Sequence, residues 1–339
     1  MRKSLKKSGH SKKGNKLEKR KRVVIDTDVA IGHRDRDVDD ALAIIMAANS
    51  KELDICGITL TYGNESLENV CRSMDELSSI AGLSNIPMGK GARSTTDFGK
   101  TTEATLLLEE SCKSGPLTLL CLGPATNLAT FLEQKPELAK DIEEVVLVAG
   151  RRRGQKFRTG NYSKSHPDLN FEKDPDSVRR LIDKGTRLVF APFEVSSKVW
   201  ITEHILELIR RNGTTTAKYL SENCHPWLEF WKRTFSTQLL PVEGFNPFDC
   251  LAVAWLTDRD LLFWERAILQ VEESDYDLAE RAVQGSGATK QYLHADFGLP
   301  VFCKHDAGNH GQSSGKREHT YIFDVERELF LERLIARLQ

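Results

Sequence analysis

From Val23 onward, short apolar runs alternate with longer helical patterns, and this alternation limits the architectures open to the chain more than any other feature. Val23-Val24-Ile25 leads into an Asp-rich loop, after which DDALAIIMAA (39–48) reads as a buried helix. A second strand is predicted at 55–60 and a helix from about 65 to 81. A strand at 117–122 and a helix at 125–132 follow, then a strand at 145–148, a helix starting near Asp174-Pro175 and a strand at 187–191. Such βαβα order predicts a Rossmann-like α/β fold with a largely parallel central sheet and helices on both faces. Ligands of such sheets sit beyond the carboxyl ends of the strands, so candidate functional residues are sought there. No internal repeat or Pro/Gly-rich linker interrupts the pattern, which favours one domain over residues 23–339. Within it, 200–235 reads as a helical insertion or lid, and 321–324 and 326–338 as a last strand and a closing amphipathic helix.

The charges are unevenly placed. Lys and Arg total 48 and Asp and Glu 49, a formal net charge of -1. Residues 1–22 hold eleven of the basic residues against Glu18 alone, a net of +10, so the remainder carries -11. The tail is too poor in apolar residues to offset its ordering entropy and is expected to be disordered. It lacks the apolar stretch of a signal peptide. Its Lys/Arg clusters suit nuclear import, weak contact with a polyanion, or simple solubilisation. Nucleic acid is otherwise not an expected partner. No apolar run approaches the ~20 residues that span a bilayer, so no membrane role is expected. Seven cysteines without a CxxC pair suit reduced thiols and argue against a Cys-based zinc site, which points to a cytoplasmic protein, with a nuclear location open through the tail.

The strongest chemical signal is VVIDTDVAIGHRDRDVDDALA, which places Asp26, Asp28, Asp35, Asp37, Asp39 and Asp40 within fifteen residues. Asp26 and Asp28 leave a buried strand and Asp39 and Asp40 open a helix, so the loop can fold both pairs onto one point. Carboxylates gathered that way repel unless a cation joins them, and a hard divalent ion with oxygen ligands fits, Ca²⁺ being the most permissive of geometry. The plainer alternative is a solvated acidic loop with Asp39 as a helix cap.

Three further segments fall at strand ends or open a helix: Thr61-Tyr62-Gly63-Asn64, LGPATNLA at 122–129, and NPFDCLAV at 246–253. In this order, with DTD…DDALAI, they resemble the inosine-uridine-type nucleoside hydrolase family from about residue 23 to 339. The resemblance implies Ca²⁺-dependent hydrolysis of the N-glycosidic bond of a ribonucleoside or related ribosyl compound, giving ribose and free base. It implies one calcium ion per subunit, held by Asp28, Asp40, the main-chain oxygen of Thr126 and Asp249, with Asp26 supporting the cage. It further implies Asp28 as general base, and Asp39, Asn64, Asn161, Asp168 and Asn170 as the residues that bind ribose. A homodimer or homotetramer is implied as well. In chemical terms, an oxocarbenium-like transition state asks for carboxylates around the sugar, a positioned water and help for the departing base.

Two departures mark a divergent subgroup. The first Asp loop is longer than usual, its insertion 29–38 carrying His33, Arg34 and Arg36, which either reach a substrate phosphate or pack as loop. Phe248 stands where many members have a histidine before the late Asp, leaving the proton donor to the base unassigned. His166, His225, His294 and His305 are scattered candidates, each more simply read as a structural or surface histidine. Trp200, Trp227, Trp231 and Phe235 at helical spacing read as core, with base stacking as the alternative. Two other functions stay open. One is a nucleoside- or ribose-binding protein with weak or lost turnover; the other is a haloacid-dehalogenase-type phosphatase using Asp26-Thr27-Asp28 as its nucleophile loop.

Overall fold

A computed structural model describes residues 20–160, 165–237, 239–278, 289–297 and 317–339. The expected basic tail lies outside them up to residue 19, as do Asn161 and His305.

Among the described residues ten strands form one sheet in the order β3-β2-β1-β4-β5-β7-β12-β10-β11-β6. They are β1 (Lys21–Thr27), β2 (Leu53–Leu60), β3 (Met88–Lys90), β4 (Leu117–Cys121), β5 (Ile142–Leu147), β6 (Arg151–Arg152), β7 (Leu188–Phe190), β10 (Leu262–Ser274), β11 (Lys290–Asp296) and β12 (Glu318–Val325). A separate antiparallel pair joins β8 (Ile201–Thr202) to β9 (Gly244–Phe245). The helices are α1 (Asp39–Ala48), α2 (Leu67–Ala81), α3 (Glu103–Lys113), α4 (Thr126–Gln134), α5 (Leu169–Lys173), α6 (Pro175–Asp183), α7 (Phe193–Ser196), α8 (Glu203–Arg211), α9 (Thr215–Phe235), α10 (Cys250–Thr257) and α11 (Arg327–Arg337).

From β3 to β12 every neighbouring pair is parallel. Only β10 runs against its neighbours, pairing antiparallel with both β12 and β11. The largely parallel sheet expected from the alternation is therefore present, and its strand order reverses between β1 and β4, the place where such folds open a crevice. Apolar residues pack on both faces. One cluster includes Ile25, Ile58, Leu77, Leu220 and Phe330, the other Val24, Leu108, Phe131, Leu181 and Tyr321.

The fold starts two residues earlier than the charge pattern suggests. Lys21 and Arg22, read as the end of the tail, are the first residues of β1. Lys21 pairs with Glu144 at 3.1 Å. Arg22 donates to the carbonyls of Ser111 and Gly115 at 3.0 and 2.7 Å, so its charge meets the carbonyl end of α3, where a cation is favoured. The predicted lid at 200–235 comprises α8 and α9 with the short β8 before them, and α9 buries Leu220, Cys224, Leu228 and Trp231. No helix among the described residues is long and apolar enough to cross a membrane.

Candidate active site

Two helices with little polar surface bring the acidic residues together. In α1 every residue from Asp39 to Ala47 is buried, and in α10 every residue from Cys250 to Trp255. Their sequences, DDALAIIMAA and CLAVAWLT, leave each helix no solvent face, and the two pack on one another. Their N-termini meet: the backbone N–H of Asp249 donates to Oδ2 of Asp39 at 3.2 Å. Carboxylate oxygens of Asp39, Asp40 and Asp249 then lie within 4.8 Å of one another, the only such metal-competent cluster among the described residues.

Asp28 and Asp26 stand behind this cluster. Asp28 is wholly buried, and its Oδ2 accepts the backbone N–H of Asn64 at 2.6 Å. Gly63 permits this approach, because a Cβ there would sit 1.9 Å from Asp28 Oδ2. Asp26 is tied down by Thr59 Oγ1 at 2.6 Å and Asn127 Nδ2 at 2.8 Å. Thr27 Oγ1 donates to Asp40 Oδ1, and Asn64 Nδ2 approaches Asp40 Oδ2 at 3.5 Å. Thr126 opens α4 at full burial, its hydroxyl donating to Asp174 at 2.5 Å.

Burial without a counter-charge pushes these carboxyls up. Asp26 and Asp40 are raised to about 7, Asp26 by burial and Asp40 by burial and then by Asp39. Asp28 is raised by burial, Asp40 and Asp39, and Asp249 by burial and its acidic neighbours. Asp28 Oδ1 and Asp26 Oδ2 are buried without a hydrogen-bond partner. An all-oxygen donor set, mutual repulsion and orphaned buried oxygens together fit a hard divalent cation.

The carboxylate cluster floors a cavity of about 240 Å³ at the carboxyl end of the sheet. Asn64, Asp168 and Asn170 line it beside Asp39, Asp40 and Asp249. Asp168 Oδ2 accepts the N–H of Gly150 at 2.7 Å; burial raises this carboxyl to about 6 although the Arg151 charge pulls it down. Asn170 Nδ2 donates to the carbonyls of Leu122 and Val148 at 2.5 and 3.2 Å. Of the expected residues, Asp39, Asp40, Asp249, Asn64, Asp168 and Asn170 thus share the cavity, while Asp26, Asp28 and Thr126 lie outside its wall.

The remaining wall is aromatic. Phe157 stacks on Phe193 at 4.5 Å between centroids, Phe193 on Phe248 at 6.0 Å, and Trp231 lies 6.3 Å from Phe248 and 5.0 Å from Phe235. Trp231 and Phe235 are therefore both core and cavity wall, as is Phe248 in part. Phe157 and Phe193 were not singled out by the sequence, because an isolated Phe in a loop or a short helix carries no periodic signal.

The inserted loop packs as loop: Val29, Ala30 and Ile31 are buried, Arg36 pairs with Glu65 at 2.6 Å, and Arg34 lies near Asp35. His225 bridges Ser221 O and Glu203, and His294 is buried on β11 against Tyr292; neither lines the cavity. His166 does line it.

A Rossmann-like sheet with a carboxylate-floored, aromatic-walled cavity at its switch point defines an α/β protein whose acidic cluster could hold a metal ion. Sequence comparison goes further. A profile of the inosine-uridine preferring nucleoside hydrolases matches residues 23–332, and the chain belongs to that family of N-ribosyl hydrolases. It is 25% identical over 294 residues to uridine nucleosidase 1 of Arabidopsis thaliana, covering 78% of this chain and 82% of that one. It is 25% identical over 327 residues to the pyrimidine-specific ribonucleoside hydrolase RihA of Citrobacter koseri, covering 88% and 94%. In fold it is similar to a plant nucleoside hydrolase, with a TM-score of 0.73 at 22% identity over 94% of this chain and 98% of that one. A purine-preferring ribonucleoside hydrolase from Gardnerella vaginalis gives 0.70 at 21% over the same shares. The phosphatase reading of Asp26-Thr27-Asp28 falls with this membership.

Proposed function

We propose that the protein hydrolyses the N-glycosidic bond of a ribonucleoside with the help of one Ca²⁺ ion per subunit. The observation that carries this reading is the convergence of Asp39, Asp40 and Asp249 on the floor of a cavity whose other end is aromatic. Sugar and base ask for those two surfaces in turn.

Asp28, Asp40, Asp249 and the main chain of Thr126 would hold the ion, with Asp26 behind them. When bound, it lowers the pKa of water and anchors sugar hydroxyls. The chain's own residues supply the rest. Asp28, fully buried and within electrostatic reach of Asp40 and Asp39, takes the proton from the attacking water. Asp39 and Asn64 bind ribose hydroxyls from the floor. Asp168, fixed by the Gly150 N–H, and Asn170, whose amide nitrogen is spent on two carbonyls, leave acceptor oxygens for the far side of the sugar; the family resemblance assigns Asn161 to the same sugar. As the C1′–N bond lengthens, charge grows on the ring, and these carboxylates stabilise it in a water-poor cavity. The aromatic rings offer the base a stacking surface.

Phe248, in place of a histidine, supports a second reading in which the site binds a nucleoside with little turnover. One panel separates the two: purine and pyrimidine ribonucleosides incubated with Ca²⁺ or with chelator, free base being measured. Metal-dependent release abolished by Asp28→Ala is the expected result. Binding seen by calorimetry with no base released from any nucleoside would favour the second reading. A cytoplasmic location goes with this proposal, supported by six free cysteines among the described residues. So does assembly into a dimer or tetramer, supported by exposed Phe263 and Trp264.

A further inference from the structure

Breaking the C1′–N bond of a neutral nucleoside leaves an electron pair on a poor leaving group, and the sequence motifs supply no acid to neutralise it. We propose that His166 is the proton donor to the departing base. The proposal rests on the hydrolytic reading given above.

The geometry places His166 at the base end of the cavity. The carboxylate floor takes the sugar, so the base extends toward the rings. These form an arc running Phe157, Phe193, Phe248, Trp231, Phe235. His166 closes it from both sides. Its imidazole meets Phe235 edge-on, with centroids 5.2 Å apart and planes at 89°, and its backbone N–H donates to the carbonyl of Phe157 at 2.7 Å. A base stacked inside the arc therefore has this imidazole at its rim.

No other described residue of the cavity suits the task. Asp39, Asp40 and Asp249 belong to the floor, where the sugar and the cation compete for them, and Asp37, beside them, has its Oδ1 held by the Val38 N–H at 2.8 Å. Asp168 Oδ2 is held by Gly150 N–H on the sugar side. Asn64, Asn170 and the indoles of Trp227 and Trp231 do not exchange a proton near neutral pH. Imidazole as a class does, which is why it serves so often as a general acid.

The step balances. Water oxygen bonds to C1′ as the C1′–N bond breaks and its electron pair passes to the base nitrogen. The imidazolium gives its proton to the base, and Asp28 takes one from water. A proton returned from Asp28 to the imidazole through solvent resets both groups.

The test uses leaving groups that differ in their need for a proton. His166→Ala and His166→Gln are compared with the unmodified protein on uridine and inosine, and on p-nitrophenyl β-D-ribofuranoside, whose p-nitrophenolate departs without protonation. We expect kcat/KM to fall about 100-fold or more on the nucleosides, the usual scale of general acid catalysis, with less than about a 3-fold change on the nitrophenyl riboside. Retained nitrophenyl turnover also shows that the variants fold. Equal losses on both substrates in both variants, or no loss on the nucleosides, overturns the assignment while leaving the hydrolytic reading in place. Failure of the unmodified protein to release base from any nucleoside defeats that reading and this one with it.

Discussion

The backbone N–H of Asp249 donates to Oδ2 of Asp39 at 3.2 Å across 210 residues of chain. This bond fixes the start of α10 against the start of α1 and sets the spacing of the three-carboxylate cluster. Asp39 is thereby both part of the floor and a brace for Asp249.

Removing either carboxylate should disable the cation site. With Asp249→Asn or Asp39→Asn, the rise in Tm on adding millimolar Ca²⁺ is expected to vanish, and base release to fall by about 10³-fold, as for lost electrostatic stabilisation of a transition state. Scanning calorimetry with and without Ca²⁺ reads the first effect and a base-release assay the second. A calcium-dependent Tm shift that survives in Asp249→Asn would remove that residue from the ligand set.

Most of this floor is legible in the sequence because it is local. Asp39 and Asp40 follow an apolar strand and open an apolar helix, and NPFDCLAV announces a second helix start. The meeting of those helices is tertiary, yet the family resemblance supplies it. What stayed hidden was of two kinds. Antiparallel β10 and β11 carry Glu, Gln and Lys among their apolar residues, since much of each is only partly buried, and so lack the continuous apolar run of a buried parallel strand. The aromatic arc is assembled from four separate places in the chain, and no spacing rule connects Phe157 to Phe248.

The chelated protein should lose stability as pH rises. Asp26 and Asp40 titrate near 7 in the fold against 3.8 for an ordinary aspartate, raised by burial above all. A group whose folded pKa is the higher one binds protons more tightly when folded, so its stabilising share is complete below about pH 4 and drains away through pH 7. Tm in EDTA should therefore fall by roughly 5 °C between pH 5 and pH 8, at the ~2 °C per kcal/mol low end that a large domain implies. Ca²⁺ favours the ionised forms, so its stabilisation should be larger at pH 8 than at pH 5. Differential scanning fluorimetry at both pH values decides it; a Tm that climbs with pH in EDTA would contradict the carboxylate account.

Gly63 has no room for a side chain. A Cβ would lie 1.9 Å from Asp28 Oδ2 and 2.9 Å from Pro124 Cδ. Gly63→Ala must displace the Asp28 carboxylate or the turn that carries Asn64. We expect about 1–3 kcal/mol of lost stability in urea unfolding, the usual range for overpacking. Base release should fall about 100-fold, because a general base shifted by 1 Å loses its alignment. Full activity in this variant would show that Asp28 is not positioned by the turn.

Arg151 is fully buried beneath the cavity, 3.3 Å from Asp277 and 2.9 Å from the Tyr276 hydroxyl, with its guanidinium 4.0 Å over the Phe157 ring. It serves both ends of the site: its charge pulls the Asp168 carboxyl down against burial, and its plane supports the first ring of the aromatic arc. Arg151→Met removes the guanidinium 3.3 Å from Asp277, and breaking a buried pair costs about 3–5 kcal/mol. Arg151→Lys keeps a charge but cannot present a flat fork to Asp277, Tyr276 and Phe157 together. In the lysine variant, then, partial recovery of stability is expected without recovery of KM. With the positive charge gone, Asp168 rises above about 6, fewer molecules carry it ionised at pH 6 to 7, and the acid limb of the kcat/KM profile moves to higher pH. Urea denaturation of both variants and pH profiles from 5 to 8 separate the two roles. An unmoved acid limb in Arg151→Met would restrict Arg151 to holding the fold.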